Sequence, residues 1–198
     1  MTEIPLFPLP LVLCPGGRLP LQIFEPRYLD MIRRCLREDM GFGIIMIEEG
    51  EQVLSNREAQ LPAVAHSGTL CDIVDFDQNP NGTLGIVVQG RRKFVVYDQY
   101  EMPDRLMMAR VEFPAEEEKT MIPEEDRHLA ELLGNFIEHE AVRALNQQID
   151  FEDASEVGWR LIELLPCSNP EKQRLFEMKN PLHRLKELDR LLLEMQSG

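Results

Sequence analysis

The side chains of this chain with the means to do chemistry are its cysteines, its histidines and two arginine-rich stretches. Cys14, Cys35, Cys71 and Cys167 lie far apart, with no C-x-x-C pair. Four thiols could close two disulfides, but in a chain of this size with no export signal reduced cysteines are expected. Cys35 falls on the apolar side of a predicted helix and Cys71 within a predicted strand, so both read as core. Cys14, before Pro15-Gly16-Gly17, is expected in a loop, where it could be exposed. A reactive thiol there would need neighbouring positive charge or a helix N-terminus, and Arg18 is its only basic neighbour in sequence. His128 and His139 are 11 residues apart, and on one unbroken helix they would share a face near Glu125 and Glu138. Two histidines about three turns apart cannot converge on one ion, so no metal site is expected and both read as surface residues.

A phosphate loop needs Gly-x-x-x-x-Gly-Lys-Ser/Thr, whose lysine and hydroxyl engage phosphate and magnesium. The nearest string, Gly85 to Arg92, lacks both and sits within a strand pattern instead of opening a helix. Arg91-Arg92-Lys93 and Arg33-Arg34-x-x-Arg37 are the basic clusters. Tyr97 and Tyr100 follow the first, but nothing interleaves aromatic and basic residues as base stacking requires. Both clusters read as solvated faces paired to nearby acids. The net charge of −14 repels phosphate backbones, so nucleic-acid binding is not expected. For binding another polypeptide, the candidates are apolar groups that a fold leaves uncovered. One candidate set is Phe24, Pro26 and Tyr28 at a strand-to-helix junction. The other is Met102, Pro103, Leu106 and Met108, on the face of their strand opposite its core series. Flexible methionines suit surfaces that accept many partners. The competing role for the same residues is packing between the two parts of the fold. Glu25 and Arg27 are expected to pair at the turn.

The elements that must position these groups fall into two regions. Up to about residue 113 the pattern is mostly that of strands. Leu19, Leu21 and Ile23 alternate with Pro20, Gln22 and Phe24, and the chain then turns into a helix at Pro26, where a missing N–H has no cost. Tyr28, Leu29, Ile32, Cys35 and Leu36 keep helical spacing, and Asp30 can pair with Arg34 one turn on. Strands are predicted at Ile44–Ile47, Thr69–Phe76, Leu84–Gln89, Lys93–Tyr97 and Leu106–Phe113, with Asn79-Pro80-Asn81-Gly82 as a hairpin turn. Many short strands favour a closed or nearly closed barrel, since closure removes exposed edges. Pro114-Ala-Glu-Glu-Glu-Lys-Thr reads as an acidic linker. Helices are predicted over Leu129–Leu145 and Ala154–Leu165, then from Asn169-Pro170 and from Asn180-Pro181, each an N-cap followed by proline. The expected domains are residues 1–115 and 116–198.

Four motifs in order carry a resemblance. Pro5-Leu6-Phe7-Pro8-Leu9 with Leu19-Pro20-Leu21 and Phe24-Glu25-Pro26-Arg27-Tyr28 resembles the opening of the N-terminal domain of Lon proteases. Gly68-Thr69-Leu70 with Ile73-Val74 resembles that family's V-G-T-x-x-x-I segment. Gln89-Gly90-Arg91-Arg92-Lys93-Phe94 resembles its x-x-Q-G-x-x-R-F motif, with Lys93 where the family usually has arginine. Leu164-Leu165-Pro166, then Glu171-Lys172-Gln173 and Leu175-Phe176-Glu177, resembles its L-P-x-x-x-x-E-K-Q-x-L-L-E segment. The resemblance implies an α+β fold: a PUA-like β pseudo-barrel followed by a C-terminal α-helical bundle. It also implies binding of substrate polypeptide without proteolysis, since no ATPase or peptidase segment and no Ser–Lys dyad appears in these 198 residues.

The expectation is a non-catalytic, cofactor-free, cytoplasmic module that binds unfolded or apolar polypeptide segments and serves a protease as adaptor. The apolar N-terminus carries Glu3 and interrupting prolines instead of a basic start, and no apolar run approaches the roughly 20 residues that span a bilayer. An RNA-binding PUA-like module and an enzyme on an unrecognised site are the alternatives.

Overall fold

The structure is a computed structural model and describes residues 1–53, 59–78, 83–139 and 148–197. The chain divides into two compact units, Met1–Pro114 and Ala115–Gly198. In the first, six strands form one sheet: β1 (Thr2–Leu9), β2 (Arg18–Ile23), β3 (Phe42–Glu49), β4 (Ala63–Gln78), β5 (Leu84–Glu101) and β6 (Met107–Glu112). β1 runs parallel to β3 and antiparallel to β6, while β4 pairs with both β3 and β5. β6 then pairs back onto the second half of β5. The ladder β5–β4–β3–β1–β6–β5 therefore closes on itself, and β2 flanks the first half of β5.

The predicted strands Leu84–Gln89 and Lys93–Tyr97 are one continuous strand. Gly90-Arg91-Arg92 reads as a break because glycine and two charges interrupt the apolar alternation. The chain instead absorbs the interruption as an irregularity: Leu70 pairs with Arg92 and Cys71 with Gly90, so Arg91 is the extra residue. The predicted turn Asn79–Gly82 lies outside the described residues.

Helix α1 (Pro26–Glu38) begins with proline in its first turn after an extended Glu25, and stops at Asp39, which adopts the left-handed conformation (φ 51°, ψ 48°). Its buried residues Arg27, Tyr28, Met31, Ile32 and Cys35 form one face. That face packs on Phe7, Leu9, Phe42, Ile44, Ile86, Val88 and Leu106. Phe7 anchors the contact, its ring 4.2 Å from Tyr28 and 6.0 Å from Phe42. Alternate residues of the same strands, Leu6 and Gly43, meet Phe94 on the opposite side of the sheet.

The second unit holds α2 (Arg127–Ile137), α3 (Ala154–Leu164), α4 (Asn169–Glu177) and α5 (Pro181–Ser197), with a short 3-10 turn at Glu124–Asp126. The first predicted helix stops at Ile137; Ala141, Ala144 and Leu145 lie outside the described residues. The cap of α4 is Ser168, one residue before the predicted Asn169, because Ser168 and Glu171 complete a reciprocal capping box. Asn180 does cap α5, its Oδ1 accepting the His183 N–H at 3.1 Å.

Residues 115–122 are not a free linker. Glu117 pairs with Arg184, which is fully buried, and accepts the Ser155 hydroxyl at 2.9 Å. The Arg184 guanidinium lies 3.5 Å over the Trp159 ring and also donates to the Leu175 and Met178 carbonyls. Lys119 pairs with Asp150, and the Ala154 N–H donates to the Thr120 carbonyl at 2.8 Å. A run of acids reads as solvated, and only the folded chain brings the buried arginine that fixes Glu117.

Candidate functional site

The turn 14–17 and strand β2 precede the strand-to-helix junction, and two motif glycines hold them. A Cβ at Gly90 would stand 2.3 Å from the Cys14 carbonyl oxygen. That closeness allows the Gly16 N–H to donate to the Gly90 carbonyl and the Gly90 N–H to donate to the Gly17 carbonyl, both at 2.8 Å. A Cβ at Gly68 would meet the Ile44 carbonyl oxygen at 2.4 Å, and next to it the Thr69 hydroxyl donates to the Leu13 carbonyl at 2.6 Å. The glycines of the second and third motifs thus do structural work: they seat the chain that leads to Phe24.

Cys14 does lie in a turn but is fully buried there, which rules out an exposed loop thiol. The cause is the same close backbone approach, which folds the loop against β5. Burial also pushes the Cys35 thiol up to about 11, the reverse of a reactive cysteine. None of the four cysteines is in a disulfide.

Of the first candidate set, Phe24 is 56% exposed and Pro26 is exposed, whereas Tyr28 is 3% exposed and belongs to the core under α1. Burial raises the Tyr28 phenol to about 12. Of the second set, Leu106 is buried in that same core, and Met102 and Met108 are half-buried against it. Tyr28 and Leu106 are therefore out of reach of a partner docking on the surface. Tyr28 lies on the face of α1 that packs on the sheet and Leu106 lies beneath it, and sequence alone does not say that a helix returns over this side of the sheet.

The fold brings the two sets together. Arg27 is 6% exposed; it pairs with Glu25 at 2.9 Å, as expected, and stacks 4.4 Å from the Tyr28 ring. Its Nη1 also donates to the Arg105 carbonyl at 3.0 Å, tying the start of α1 to the turn before β6. That turn is closed by the Met102 N–H to the Leu106 carbonyl at 2.9 Å and the Arg105 N–H to the Met102 carbonyl at 2.8 Å. Arg105 sits there at φ 71°, in the left-handed region.

Between α1 and this turn lies a cavity of about 340 Å3, lined by Asp30, Met31, Arg33, Arg34, Arg37, Asp104 and Leu106. The arginine cluster expected to be a solvated, paired face lines it. Asp30 pairs with Arg33 at 2.9 Å, not with Arg34, and Arg37 pairs with Glu38 at 3.0 Å. Arg34 Nε and Nη2 are buried with no hydrogen-bond partner. The other cluster is spent locally: Arg91 pairs with Asp72, and Arg92 stacks 3.8 Å from the Phe113 ring.

His128 and His139 do not share a helix face, since α2 ends at Ile137. His128 instead hydrogen-bonds Asp189 at 2.8 Å. No three His, Cys, Asp or Glu side chains gather around a common point among the described residues, and no helix among them is long and apolar enough to cross a membrane.

Residues 3–194 match the family model of the ATP-dependent protease La (LON) substrate-binding domain. The fold matches a Lon N-terminal domain protein from Xanthomonas campestris with a TM-score of 0.78 and 32% identity, over 95% of this chain and 97% of that one. The N-terminal domain of a Mycobacterium avium complex Lon protease matches with a TM-score of 0.61 and 17% identity, over 94% of this chain and 96% of that one. Among curated proteins, Lon protease of Cytophaga hutchinsonii is 20% identical over 92% of this chain and 23% of its own length. Protein cereblon of Danio rerio is 29% identical over 57% of this chain and 25% of its own length. The chain thus spans at most about a quarter of these curated relatives.

Proposed function

Because the chain belongs to the Lon substrate-binding domain family, we propose that it is a non-catalytic module that binds unfolded or apolar polypeptide segments. The family match over residues 3–194 carries this reading. We read its closed sheet as a PUA-like pseudo-barrel and residues 115–198 as a helical bundle. The proposed contact surface is the strand-to-helix junction, where Phe24 and Pro26 are exposed beside the half-buried Met102 and Met108. Tyr28 and Leu106 support that surface from beneath. An apolar ring held out by a rigid turn offers an unfolded chain contact area at little ordering cost. Acting in the cytoplasm and without a cofactor, such a module would deliver clients to a protease or withhold them from it.

The test is a fluorescence-anisotropy titration against a labelled, permanently unfolded polypeptide, with a folded protein and a short RNA in parallel. Saturable binding to the unfolded chain alone is the expected result. Phe24→Ser, which removes an exposed ring and no core contact, is expected to weaken it severalfold. Absence of binding to the unfolded chain removes the reading, and saturable RNA binding in its place replaces it.

A further inference from the structure

The cavity beside α1 has a composition that general apolar recognition does not explain. Three guanidiniums and two carboxylates line it, an excess of positive charge on a chain whose net charge is −14. Arg33 and Arg37 have acidic partners. Arg34 leaves two donors, Nε and Nη2, buried without an acceptor. Those two N–H groups form the side edge of the guanidinium, a fork whose spacing matches the two oxygens of a carboxylate. Leaving such donors desolvated and unpaired is costly, so turning the fork of this cavity-lining residue toward an anion would relieve that cost. Met31 and Leu106 give the same cavity an apolar floor. Its volume of about 340 Å3 lies at the small end of ligand pockets, roughly 300–1,000 Å3, so it admits the end of a chain or one side chain and no folded partner.

We propose that this cavity binds a carboxylate of the client polypeptide, carried next to an apolar side chain, with the fork of Arg34 as its anchor. A terminal carboxylate and an acidic side chain share this chemistry. A turn of the Arg34 side chain presents the fork to the ligand, and the apolar neighbour settles against the aliphatic stems of Arg33 and Arg37 on the same wall. Asp30 and Asp104, on the same wall, repel a second negative charge and offer acceptors to backbone N–H groups. The proposal rests on the polypeptide-binding reading above and adds the chemical feature that the client must display.

The experiment titrates the full chain into three labelled peptides of one apolar sequence: free at its C-terminus, amidated, and amidated with one internal glutamate. The unfolded polypeptide serves as reference. At least one carboxylate-bearing peptide is expected to bind about tenfold or more tightly than the plain amide, the scale of a lost charged hydrogen bond. Arg34→Met should abolish that preference by lowering the carboxylate-bearing peptide to the affinity of the plain amide. Arg34→Lys, which keeps the charge without the fork, should restore only part of it. Tighter binding of the free acid identifies a chain terminus as the ligand, and tighter binding of the glutamate peptide identifies a side chain. Equal binding of all three peptides, or a preference that survives Arg34→Met, overturns the proposal and leaves general polypeptide binding standing. Binding of neither peptides nor unfolded polypeptide overturns both. RNA binding that depends on Arg34, without peptide discrimination, assigns the cavity to phosphate instead. Thermal melts of both variants show whether each is folded, and Arg37→Gln, at an exposed position, supplies a third perturbation of the same wall.

Discussion

Arg27 shows how one residue links local sequence to the site. Its carboxylate partner is two residues away and could be read from the sequence. Its bond to the Arg105 carbonyl, 78 residues on, could not. The same holds for His128. In sequence it is a surface histidine; in the fold its Nε2 lies 2.8 Å from Asp189 Oδ1 on α5 and its Nδ1 3.0 Å from the Glu125 carbonyl. The Asp189 hydrogen bond holds its imidazolium above the ordinary 6.5, against a smaller opposing effect of burial. The folded state then binds the proton more tightly than the unfolded one. This stabilisation is fully present below the ordinary histidine value and is lost as pH rises through the raised one. Solvent screening keeps it small. An NMR titration should place His128 above 6.5, and Asp189→Asn should bring it back and flatten that part of the stability–pH curve. An unshifted His128 would remove the pair from the account.

At the scale of elements, the legible features were those whose cause is local. Pro26 in the first turn of α1, Asn180 before α5 and the alternation in β6 all follow from backbone sterics and side-chain period. The misread ones depend on a partner strand or on cap geometry. β5 continues through Gly90-Arg91-Arg92 because β4 continues opposite it, and a strand's length is set by its neighbour as much as by its own residues. Gly90 and Gly134 make a matched test. At Gly90 a Cβ meets a backbone carbonyl at 2.3 Å, whereas at Gly134, inside α2, it meets nothing within 4 Å. Gly90→Ala should destabilise by roughly 3 kcal/mol, since backbone must move to relieve the overlap. Gly134→Ala should stabilise by about 0.5–1 kcal/mol through helix propensity. Urea unfolding of the two variants measures both signs, and a neutral Gly90→Ala would mean that the 14–17 turn does not depend on this close approach.

For the whole molecule the governing quantity is charge. With 35 acidic against 21 basic residues, the long-range field repels polyanions, and much of the basic side-chain inventory is already committed. Arg91, Arg105, Arg110 and Arg184 all pair with acids. Non-specific nucleic-acid binding at physiological salt is therefore expected to be absent. A gel-shift or anisotropy titration against duplex and single-stranded RNA checks this, and salt-dependent saturable binding would contradict it. A single carboxylate entering the Arg34 cavity is a different case, because within a few ångströms the nearest guanidinium outweighs a screened distant field.

The sequence by itself determined the family, the change from strand-rich to helical composition and the start of α1. These follow from side-chain period, proline and glycine sterics and motif order, all of which are local along the chain. Only the tertiary structure decided which candidate residues face solvent. Phe24 and Pro26 stay outside, whereas Tyr28 and Leu106 are buried, because α1 packs its Tyr28 face onto the sheet and covers Leu106. It also decided that Glu117 serves Arg184 and that Arg34 faces a cavity without a partner. Burial and pairing are properties of residues far apart in sequence, and no window of sequence contains both members.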